Sequence, residues 1–538
     1  MDRGESIVVK ASAAGRLRGL AQRQCGPARR RHTPTTVHDP MARMVRRLGC
    51  SGGALLSLSL GVGASCTSAP SPDSAATPSE PPNIIFIMAD DLGYGDIGPY
   101  GQTRIQTPSL DRMARQGLRF TQFYAGSPVC APSRAVLMTG LHTGHVPIRG
   151  NQRYADGQQP LPAESVTLAE VLSEAGYTTG ATGKWGLGGP GTEGVPTRQG
   201  FDTFYGYLDQ SRAHFFYPEF VYRDEERVPL EGNRVQEIAD RPGAGWPLER
   251  GRYSHDAIAE EALDFIDRHR DERFFLYVPF TIPHAELQAP EDAYTQYLNA
   301  DGTSIFPEEP YPGEHYSPQA MPRATFAAMV SRMDRDVGRI LDKLETLGLD
   351  QNTIVFFTSD NGPHIEGGGD PEFFDSNRPL RGLKRDVYEG GIRVPMIAWG
   401  PSHVPAGVTS HHVWAMWDVL PTLAELANAR ALSEMDGLNM ASLLSSSGES
   451  PVHRHLYWEF HEQGGKQAVR RDDWKAVRLN VSADPNARIE LYDLASDPGE
   501  QRNVAARHPD VVRELAEIMA SEHTDSELFP ALNGLGNY

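Results

Sequence analysis

The chain has 538 residues and a formal net charge of −19, from 51 Lys and Arg against 70 Asp and Glu. This length exceeds one ordinary domain and allows a large buried core. Residues 1–47 hold 11 Lys and Arg but only 3 Asp and Glu, so the rest of the chain carries about −27. Such an acidic body repels a phosphate backbone, which excludes nucleic acid as a partner. An anion must therefore bind in a local pocket of Arg and Lys.

The first 82 residues are predicted to contain targeting and linker segments and not to belong to a folded domain. Residues 1–40 show no usable periodicity, which indicates a non-native or disordered extension. Residues 41–66 are predicted to be a lipoprotein-like signal peptide, because a basic stretch precedes an apolar one that ends in Gly-Ala-Ser-Cys. Residues 67–82, rich in Ser, Pro and Ala, are predicted to be a linker.

This N-terminal organisation also predicts where the protein works. We expect translation to start at Met41 or Met44, and Cys66 to become the lipidated first residue of the mature chain. The expected location is the periplasm, or the outer membrane or cell surface of a bacterium. The lipid at Cys66 is then the predicted membrane attachment.

From Asn83 onward, short apolar runs alternate with longer amphipathic stretches, which predicts an α/β fold with a large, mostly parallel sheet flanked by helices. In chain order we predict a strand at Ile84–Met88, a helix through Met138 with Pro132 in its first turn, a helix from a cap at Ser254 to Arg270, a strand at Phe274–Val278, a helix across Phe326–Leu344 capped by Gly348, and a strand at Ile354–Phe357.

The pattern changes after about Ser445. A Ser/Gly/Pro linker precedes runs that predict antiparallel strands, followed by a helix packed on them; the strands lie at Leu456–Trp458, Ala468–Arg470 and Trp474–Arg478, and the helix at Pro509–Ser521. The predicted organisation is a main domain over residues 83–445 and a smaller C-terminal subdomain, an antiparallel sheet plus helix, over residues 452–538.

Cys130 is the only cysteine beyond residue 66. Exported proteins keep cysteines mainly for disulfides, which a single thiol cannot form internally. A lone cysteine in a large chain is most often a buried structural residue. Here Cys130 begins a predicted helix, where the positive end of the helix dipole favours an anion, and Arg134 lies one turn further on. We therefore interpret both residues as functional.

Two predicted strands end in oxygen-rich pairs. Asp90-Asp91 follow the first strand, and Asp360-Asn361 follow the strand that ends at Ser359. The carboxyl ends of parallel strands meet at one edge of a sheet. Three carboxylates and an amide there suit a hard cation, Ca²⁺ more than Zn²⁺. One pair alone would be interpreted as a turn or helix cap, but two pairs favour a metal site.

Three basic residues complete the candidate site. Lys184 lies in a Gly-rich turn, Thr182–Gly188, as a point charge for an anion. His284 follows the strand at Phe274–Val278, a position suited to a general acid. Lys384 is placed to contact a leaving oxygen. Each residue alone is more often a solvated surface group, and only the three together with the acidic pairs indicate a site.

Five segments of the chain together resemble the type I sulfatase family of the alkaline phosphatase superfamily: Asn83–Gly95, Cys130–Gly140, Gly183–Gly188, Ser359–Gly362 and Gly390–Pro395. Cys130-Ala-Pro-Ser-Arg134 resembles the signature in which the cysteine is oxidised to formylglycine. The resemblance implies an alkaline phosphatase-like sheet and two residue sets: Ca²⁺ ligands Asp90, Asp91, Asp360, Asn361 and formylglycine-130, and sulfate-binding Arg134, Lys184, His284 and Lys384.

The resemblance implies hydrolysis of sulfate monoesters after a formylglycine-generating enzyme has modified Cys130. The expected substrate is a sulfated carbohydrate, such as a polysaccharide fragment, or an aryl sulfate. Aromatic residues in Tyr205–Tyr222 either line a sugar subsite or pack a loop. Two alternatives stay open: a phosphate or phosphonate monoester hydrolase on the same fold, and a non-catalytic glycan-binding lipoprotein with Cys130 unconverted.

One position departs from the family pattern. The turn often reads Gly-Lys-Trp-His, with the histidine contacting formylglycine, whereas this chain has Gly186 there. A base must then come from elsewhere or be less needed. Our hypothesis is that His214 fills the gap, with His145 as the weaker candidate.

Overall fold

The computed structural model describes residues 80–529, apart from residues 152, 155–156, 239–240, 431–433 and 446–448. The predicted extension, the signal peptide with Cys66 and nearly all of the linker therefore lie outside the described residues. The described residues belong to one compact unit. None of the helices described in it is long and apolar enough to cross a membrane.

Strands and helices alternate along most of the chain, as an α/β fold requires. The strands are β1 Asn83–Asp90, β2 Leu118–Tyr124, β3 Arg153–Tyr154, β4 Gly157–Gln158, β5 Thr178–Lys184, β6 Thr203–Tyr207, β7 Phe220–Arg223, β8 Glu226–Pro229, β9 Arg234–Ile238, β10 Arg241–Glu249, β11 Phe274–Pro283, β12 Thr353–Ser359, β13 Arg393–Trp399, β14 Val408–Ser410, β15 Trp414–Ala415, β16 Leu456–Phe460, β17 Lys466–Arg471, β18 Trp474–Leu479 and β19 Ile489–Asp493. The α-helices are α1 Pro108–Gln116, α2 Cys130–Thr139, α3 Leu168–Glu174, α4 Ser254–Arg268, α5 Pro322–Leu347, α6 Pro371–Phe374, α7 Glu389–Ile392, α8 Val419–Leu426, α9 Ala441–Ser445 and α10 Pro509–Ser521.

The main sheet of the described residues has the strand order β14-β2-β13-β12-β1-β11-β5-β6-β7-β8, with β15 beside β2. The central run β12-β1-β11-β5-β6 is parallel. Antiparallel strands, β13 on one side and β7 and β8 on the other, extend it. The prediction of a large, mostly parallel sheet is confirmed. The three strands predicted from apolar runs are its neighbouring members β12, β1 and β11.

Helices cover both faces of this sheet, which explains why β1 is apolar without interruption. Ile84, Phe86 and Met88 point into a core shared with α2, α3 and α8. Ile85 and Ile87 point into a second core shared with α1, α4 and α5. Each fully buried side chain of this size stabilises the fold by roughly 1.5–3 kcal/mol. Because both faces of the sheet are filled by these cores, the polar functional side chains lie at the strand ends.

Two helix boundaries test the sequence reasoning. Gly348 caps α5 in the left-handed conformation at φ 69°, as predicted. The prediction for Ser254 is wrong by one position, because Ser254 is the first residue of α4 and not its cap. Its N–H donates to the Phe216 carbonyl at 2.9 Å, so this N–H in the first turn of the helix has a hydrogen-bond partner outside the helix. The helix ends at Arg268, two residues before the predicted end.

The C-terminal antiparallel sheet is also confirmed, with the order β16-β17-β18-β19. Asp472, at φ 56°, forms the tight turn between β17 and β18. The helix α10 has the predicted bounds. The strand β19 was not predicted from the sequence. The domain boundaries at residues 445 and 452 stay predictions.

A buried ion cluster joins the C-terminal sheet to the main sheet. Lys475 Nζ on β18 lies 2.9 Å from Glu389 Oε1 on α7 and 3.1 Å from Glu500 Oε1, and none of the three side chains is exposed. Tyr124 on β2 donates to Glu389 Oε2 at 2.7 Å. Since buried carboxylates are costly without a cation, this lysine links the two sheets.

Replacing Lys475 is therefore expected to weaken the whole fold. Lys475→Met leaves two buried carboxylates short of a cation and should lower the free energy of unfolding by about 3–5 kcal/mol. The control Arg471→Met breaks only the exposed pair with Glu514 and should cost about 0–1 kcal/mol. Urea unfolding would measure both, and equal losses would contradict the assignment.

Candidate active site

The predicted site residues meet at one edge of the sheet, beyond the carboxyl ends of four adjacent strands. Asp90 ends β1, Asp360 follows β12, and His284 follows β11. Lys184 ends β5, where it pairs with Tyr207 of β6. The lysine is thus the last residue of a strand, and the prediction of a turn at this residue is wrong.

Cys130 opens α2 directly beside the acidic pairs. Its Sγ lies 3.4 Å from Asp90 Oδ1 and 3.8 Å from Asp91 Oδ1. Asn361 Nδ2 donates to Asp91 Oδ1 at 2.7 Å, and the Asp91 N–H donates to Asp360 Oδ1 at 3.0 Å. All five side chains are buried. The structure brings together the whole set that the resemblance assigned to the metal.

Each of the three carboxylates has a cation of its own. Lys184 Nζ donates to Asp90 Oδ2 at 2.7 Å, and Lys384 Nζ donates to Asp91 Oδ2 at 2.7 Å. Arg134, one helical turn after Cys130, donates to Asp360 Oδ2 through Nη2 at 2.8 Å and Nε at 3.2 Å. Its Nη1 donates to the Lys184 carbonyl at 2.5 Å.

This arrangement moves the pKa values of the site in different directions. Burial alone would raise the pKa of Asp90, but Lys184, His284 and Arg134 hold it well below its usual range. Burial, reinforced by Asp90, raises the pKa of Asp360 to about 6. Burial and then Asp90 raise the pKa of the Cys130 thiol well above its usual value. An unmodified Cys130 therefore holds little thiolate and is a poor nucleophile at neutral pH.

His284 and Lys384 form a hydrogen-bonded pair at the other side of Asp91. His284 Nε2 lies 2.8 Å from Lys384 Nζ and 3.3 Å from Asp91 Oδ2, while its Nδ1 contacts the carbonyl of Ala285. An Nδ1–H donor leaves Nε2 as the acceptor for the lysine. Burial, and then Lys384, lowers the pKa of His284 well below its usual value.

His214 stacks on His284, with ring centroids 4.1 Å apart and an interplanar angle of 15°. Burial, and then His284, lowers the pKa of His214 well below its usual value. The structure thus brings His214 into the site. It places His145 in a different cluster, where its Nδ1 lies 2.9 Å from Asp436 Oδ1 and its ring stacks on His142.

Two family models match this chain. The Sulfatase model matches residues 82–429, and the model for N-sulphoglucosamine sulphohydrolase, C-terminal, matches residues 382–525. The chain belongs to the sulfatase family. Arylsulfatase A of Homo sapiens is 33% identical over 479 residues, which cover 82% of this chain and 87% of that protein. N-acetylgalactosamine-6-O-sulfatase of Bacteroides thetaiotaomicron is 30% identical over 515 residues, which cover 83% and 94%.

Solved structures agree with this assignment. Ps i-CgsB in complex with k-i-k-neocarrahexaose has a TM-score of 0.67 at 28% identity and covers 83% of this chain and 94% of its own. The phosphonate monoester hydrolase of Agrobacterium radiobacter, at a TM-score of 0.58 and 22% identity, shares the fold. The predictions of a type I sulfatase of the alkaline phosphatase superfamily and of a sulfuric ester hydrolase are confirmed.

Three residues that lie beside the predicted set were not predicted from the sequence. Glu366 Oε1 lies 2.6 Å from Arg385 Nη2, and Glu366 Oε2 lies 3.6 Å from Lys384 Nζ. His364 stacks on His284 with centroids 5.5 Å apart. A local signal existed, because His364 and Glu366 follow the Asp360-Asn361 strand end within six residues, and Arg385 is adjacent to Lys384.

The aromatic side chains that could have lined a sugar subsite are mainly buried within the packing of their own loop. Phe215, Phe216 and Tyr217 are at most 6% exposed, and Phe216 stacks on Tyr253 at 5.7 Å between centroids. Of the four residues His214–Tyr217, the half-buried His214 is the one stacked on His284.

The acidic residues fit a hard divalent cation. Oxygen atoms of Asp90 and Asp91 cluster with Cys130 and His284, with all ligand atoms within 4.8 Å of one another. Asn361 Oδ1 is buried and has no hydrogen-bond partner among the described residues, although the Nδ2 of the same amide has two. An unpartnered amide oxygen beside carboxylates is the donor set that Ca²⁺ prefers.

Cation binding should therefore stabilise the fold measurably. At one hundred times its Kd, Ca²⁺ should raise the free energy of unfolding by about 2.7 kcal/mol. Asn361→Ala should weaken binding about tenfold and reduce this gain by about 1.4 kcal/mol at the same Ca²⁺ concentration.

A matched control is Asn83→Ala, at the opposite end of β1, where the side chain bonds to the Phe274 N–H and to Thr353. It should lower stability and leave the Ca²⁺-dependent gain unchanged. Denaturation with and without Ca²⁺ measures both. An unchanged gain in Asn361→Ala would contradict the assignment of this amide.

Proposed function

We propose that this sulfatase hydrolyses sulfate monoesters of carbohydrates with a formylglycine made from Cys130 and a bound Ca²⁺. The observation that carries the proposal is the convergence of Cys130, three carboxylates and three cations at one buried strand edge. The maturation partner is a formylglycine-generating enzyme. The formylglycine would supply a hydrated aldehyde whose hydroxyl attacks sulfur, and Ca²⁺ would supply the charge that makes this hydroxyl acidic.

The protein's own cations would hold the sulfate group. Lys184 Nζ and Arg134 Nη2 both approach Asp90 Oδ2, at 2.7 and 3.7 Å, so their charges converge beside Cys130. They would offset the charge on the sulfuryl oxygens as the S–O bond breaks. Asp360, held by Arg134, would accept the proton of the attacking hydroxyl at its carboxylate.

His284, aided by Lys384, would protonate the departing oxygen. The two side chains already share a hydrogen bond of 2.8 Å, so a proton can pass from one to the other at Nε2. His214 would serve as the base of the second half-reaction in place of the histidine absent at Gly186. Its position, stacked on His284, supports this role.

Two of the similar proteins support a carbohydrate ester as the substrate, whereas the name of arylsulfatase A supports an aryl ester. The Bacteroides relative is an N-acetylgalactosamine-6-O-sulfatase, and one structural neighbour was solved with a neocarrahexaose. An exported lipoprotein with its lipid at Cys66, which we also propose, would meet sulfated polysaccharide fragments outside the cytoplasm. Mass spectrometry of the mature N-terminus tests that location, and an unprocessed residue 1 would overturn it.

The reaction is tested with paired aryl esters. Enzyme made with a formylglycine-generating enzyme should hydrolyse 4-nitrophenyl sulfate with kcat/KM roughly 100-fold above that for 4-nitrophenyl phosphate. Removal of Ca²⁺ should abolish turnover, and Cys130→Ala is the inactive control. Preference for the phosphate ester would support the alternative phosphate or phosphonate monoester hydrolase.

The proposed acid predicts a dependence on the leaving group. His284→Ala should lower kcat for a sugar sulfate, whose alkoxide needs a proton, by about 10²–10⁴-fold. The loss should be much smaller for 4-nitrophenyl sulfate, because 4-nitrophenolate leaves without one. Steady-state kinetics with both esters measures the difference. Equal losses on both esters would show that His284 only binds sulfate.

The proposed base predicts a different kinetic defect. His214→Ala should release the first equivalent of 4-nitrophenol at the normal rate and then turn over slowly, since only the second half-reaction is impaired. Stopped-flow absorbance would show this as a burst. A steady wild-type rate without a burst would exclude His214 from the role.

A further inference from the structure

Gly186 leaves a space that another side chain of this protein fills. Gly186 has φ 78°, a left-handed conformation that favours glycine. A Cβ built on it would lie 2.2 Å from Nε2 and 3.0 Å from Cδ of Gln210. The carboxamide of Gln210 therefore lies against the Gly186 Cα, in the place where a side chain at position 186 would begin.

The Gln210 amide nitrogen is buried. The residue is 8% exposed, and within the described part of the chain its Nε2 has no hydrogen-bond partner. Buried amide donors are nearly always satisfied in proteins, because an unmade hydrogen bond costs the full desolvation of the group. A partner absent from the protein itself is therefore expected at this nitrogen.

The surrounding backbone fixes Gln210 between two residues of the active site. The Trp185 N–H donates to the Tyr207 carbonyl at 2.8 Å, and the Gly186 N–H donates to the Leu208 carbonyl at 3.1 Å. This ladder holds the segment that carries Gln210 beside the segment that carries Lys184. Four residues after Gln210, His214 stacks on His284. The segment that carries Gln210 thus runs beside the segment that carries Lys184 and leads into the histidine stack.

We propose that Gln210 is a substrate-binding residue whose Nε2–H donates a hydrogen bond to a sulfate oxygen. The inference rests on the proposed function, because the anion it names is the sulfate of that reaction. An amide donates without carrying a charge and cannot accept a proton at neutral pH. Gln210 therefore occupies the space that Gly186 leaves open and binds the anion there, while proton transfer needs a separate group, the role proposed for His214.

The test measures binding of inorganic sulfate and turnover of 4-nitrophenyl sulfate in parallel. Calorimetric titration with sodium sulfate in Ca²⁺ buffer should show affinity about tenfold weaker in Gln210→Ala than in the wild type, and about 100-fold weaker in Gln210→Glu, where a carboxylate faces the anion. The KM for 4-nitrophenyl sulfate should rise in the same order. Thermal unfolding should change little in Gln210→Ala, because within the described part of the chain its Nε2 has no hydrogen bond to lose.

A second glutamine provides the structural control. Gln199 is also buried, but its Nε2 donates to the carbonyls of Leu161, Pro162 and Glu193 at 3.1–3.4 Å. Gln199→Ala should therefore lower the melting temperature and leave sulfate affinity unchanged. Gly186→Ala should displace the Gln210 amide and weaken sulfate binding, and the double variant Gly186→Ala/Gln210→Ala should bind no more weakly than Gln210→Ala alone.

The outcomes separate this inference from the proposed function. Wild-type sulfate affinity in Gln210→Ala, in an enzyme that hydrolyses the aryl sulfate, would overturn the role of Gln210 and leave the reaction standing. A wild type that neither binds sulfate nor cleaves the ester would overturn both. Weaker binding in Gln210→Ala with unaltered stability, and a non-additive double variant, would support the direct contact.

Discussion

The structure depends on three carboxylates being buried together at one sheet edge. Two charges 4 Å apart repel by about 4 kcal/mol even at an effective dielectric constant of 20, and burial adds a desolvation cost for each. Asp90, Asp91 and Asp360 are tolerated because each has a cation within 2.8 Å. The cations come from β5, from the segment before α7 and from α2, so the active site forms only when these elements are assembled.

The C-terminal subdomain stabilises one side of this arrangement. Lys466 on β17 donates from Nζ to the Arg385 carbonyl at 2.6 Å and to Asp386 Oδ1 at 3.2 Å, directly after Lys384. Arg385 has φ 74°, a left-handed conformation that costs a non-glycine residue free energy. The contacts around it, including its ion pair with Glu366, offset that cost. The smaller sheet thus fixes the turn from which Lys384 enters the site.

Site residues could be predicted from the sequence where they lie at the end of an apolar strand or within a short motif. Asp90-Asp91 and Asp360-Asn361 follow strongly apolar strands. Because the carboxyl ends of parallel strands lie at one edge of a sheet, the apolar runs predicted that the two pairs lie close together. Cys130 was recognisable from its short motif. The C-terminal strands were visible because alternation and a tight turn are local properties.

The remaining features depend on contacts through space. Lys184 continues β5 because Tyr207 of β6 pairs with it, and Ser254 needs no capping role because Phe216 satisfies its N–H. Gln210 fills the space over Gly186 across 24 positions of sequence, so neither residue alone indicated the pair. Only the folded chain brings Lys384 onto His284, 100 positions away.

The conversion of Cys130 to formylglycine, on which the proposed reaction depends, is tested by mass spectrometry of the tryptic peptide 120–134 from protein made in its native host. We expect a formylglycine at position 130, with oxygen in place of sulfur and two hydrogens fewer than cysteine. We also expect an aldehyde-specific hydrazide to label this peptide. A peptide with an intact, alkylatable thiol and no aldehyde, recovered from enzyme that still cleaves sulfate esters, would show that Cys130 is not converted and that the reaction uses another nucleophile.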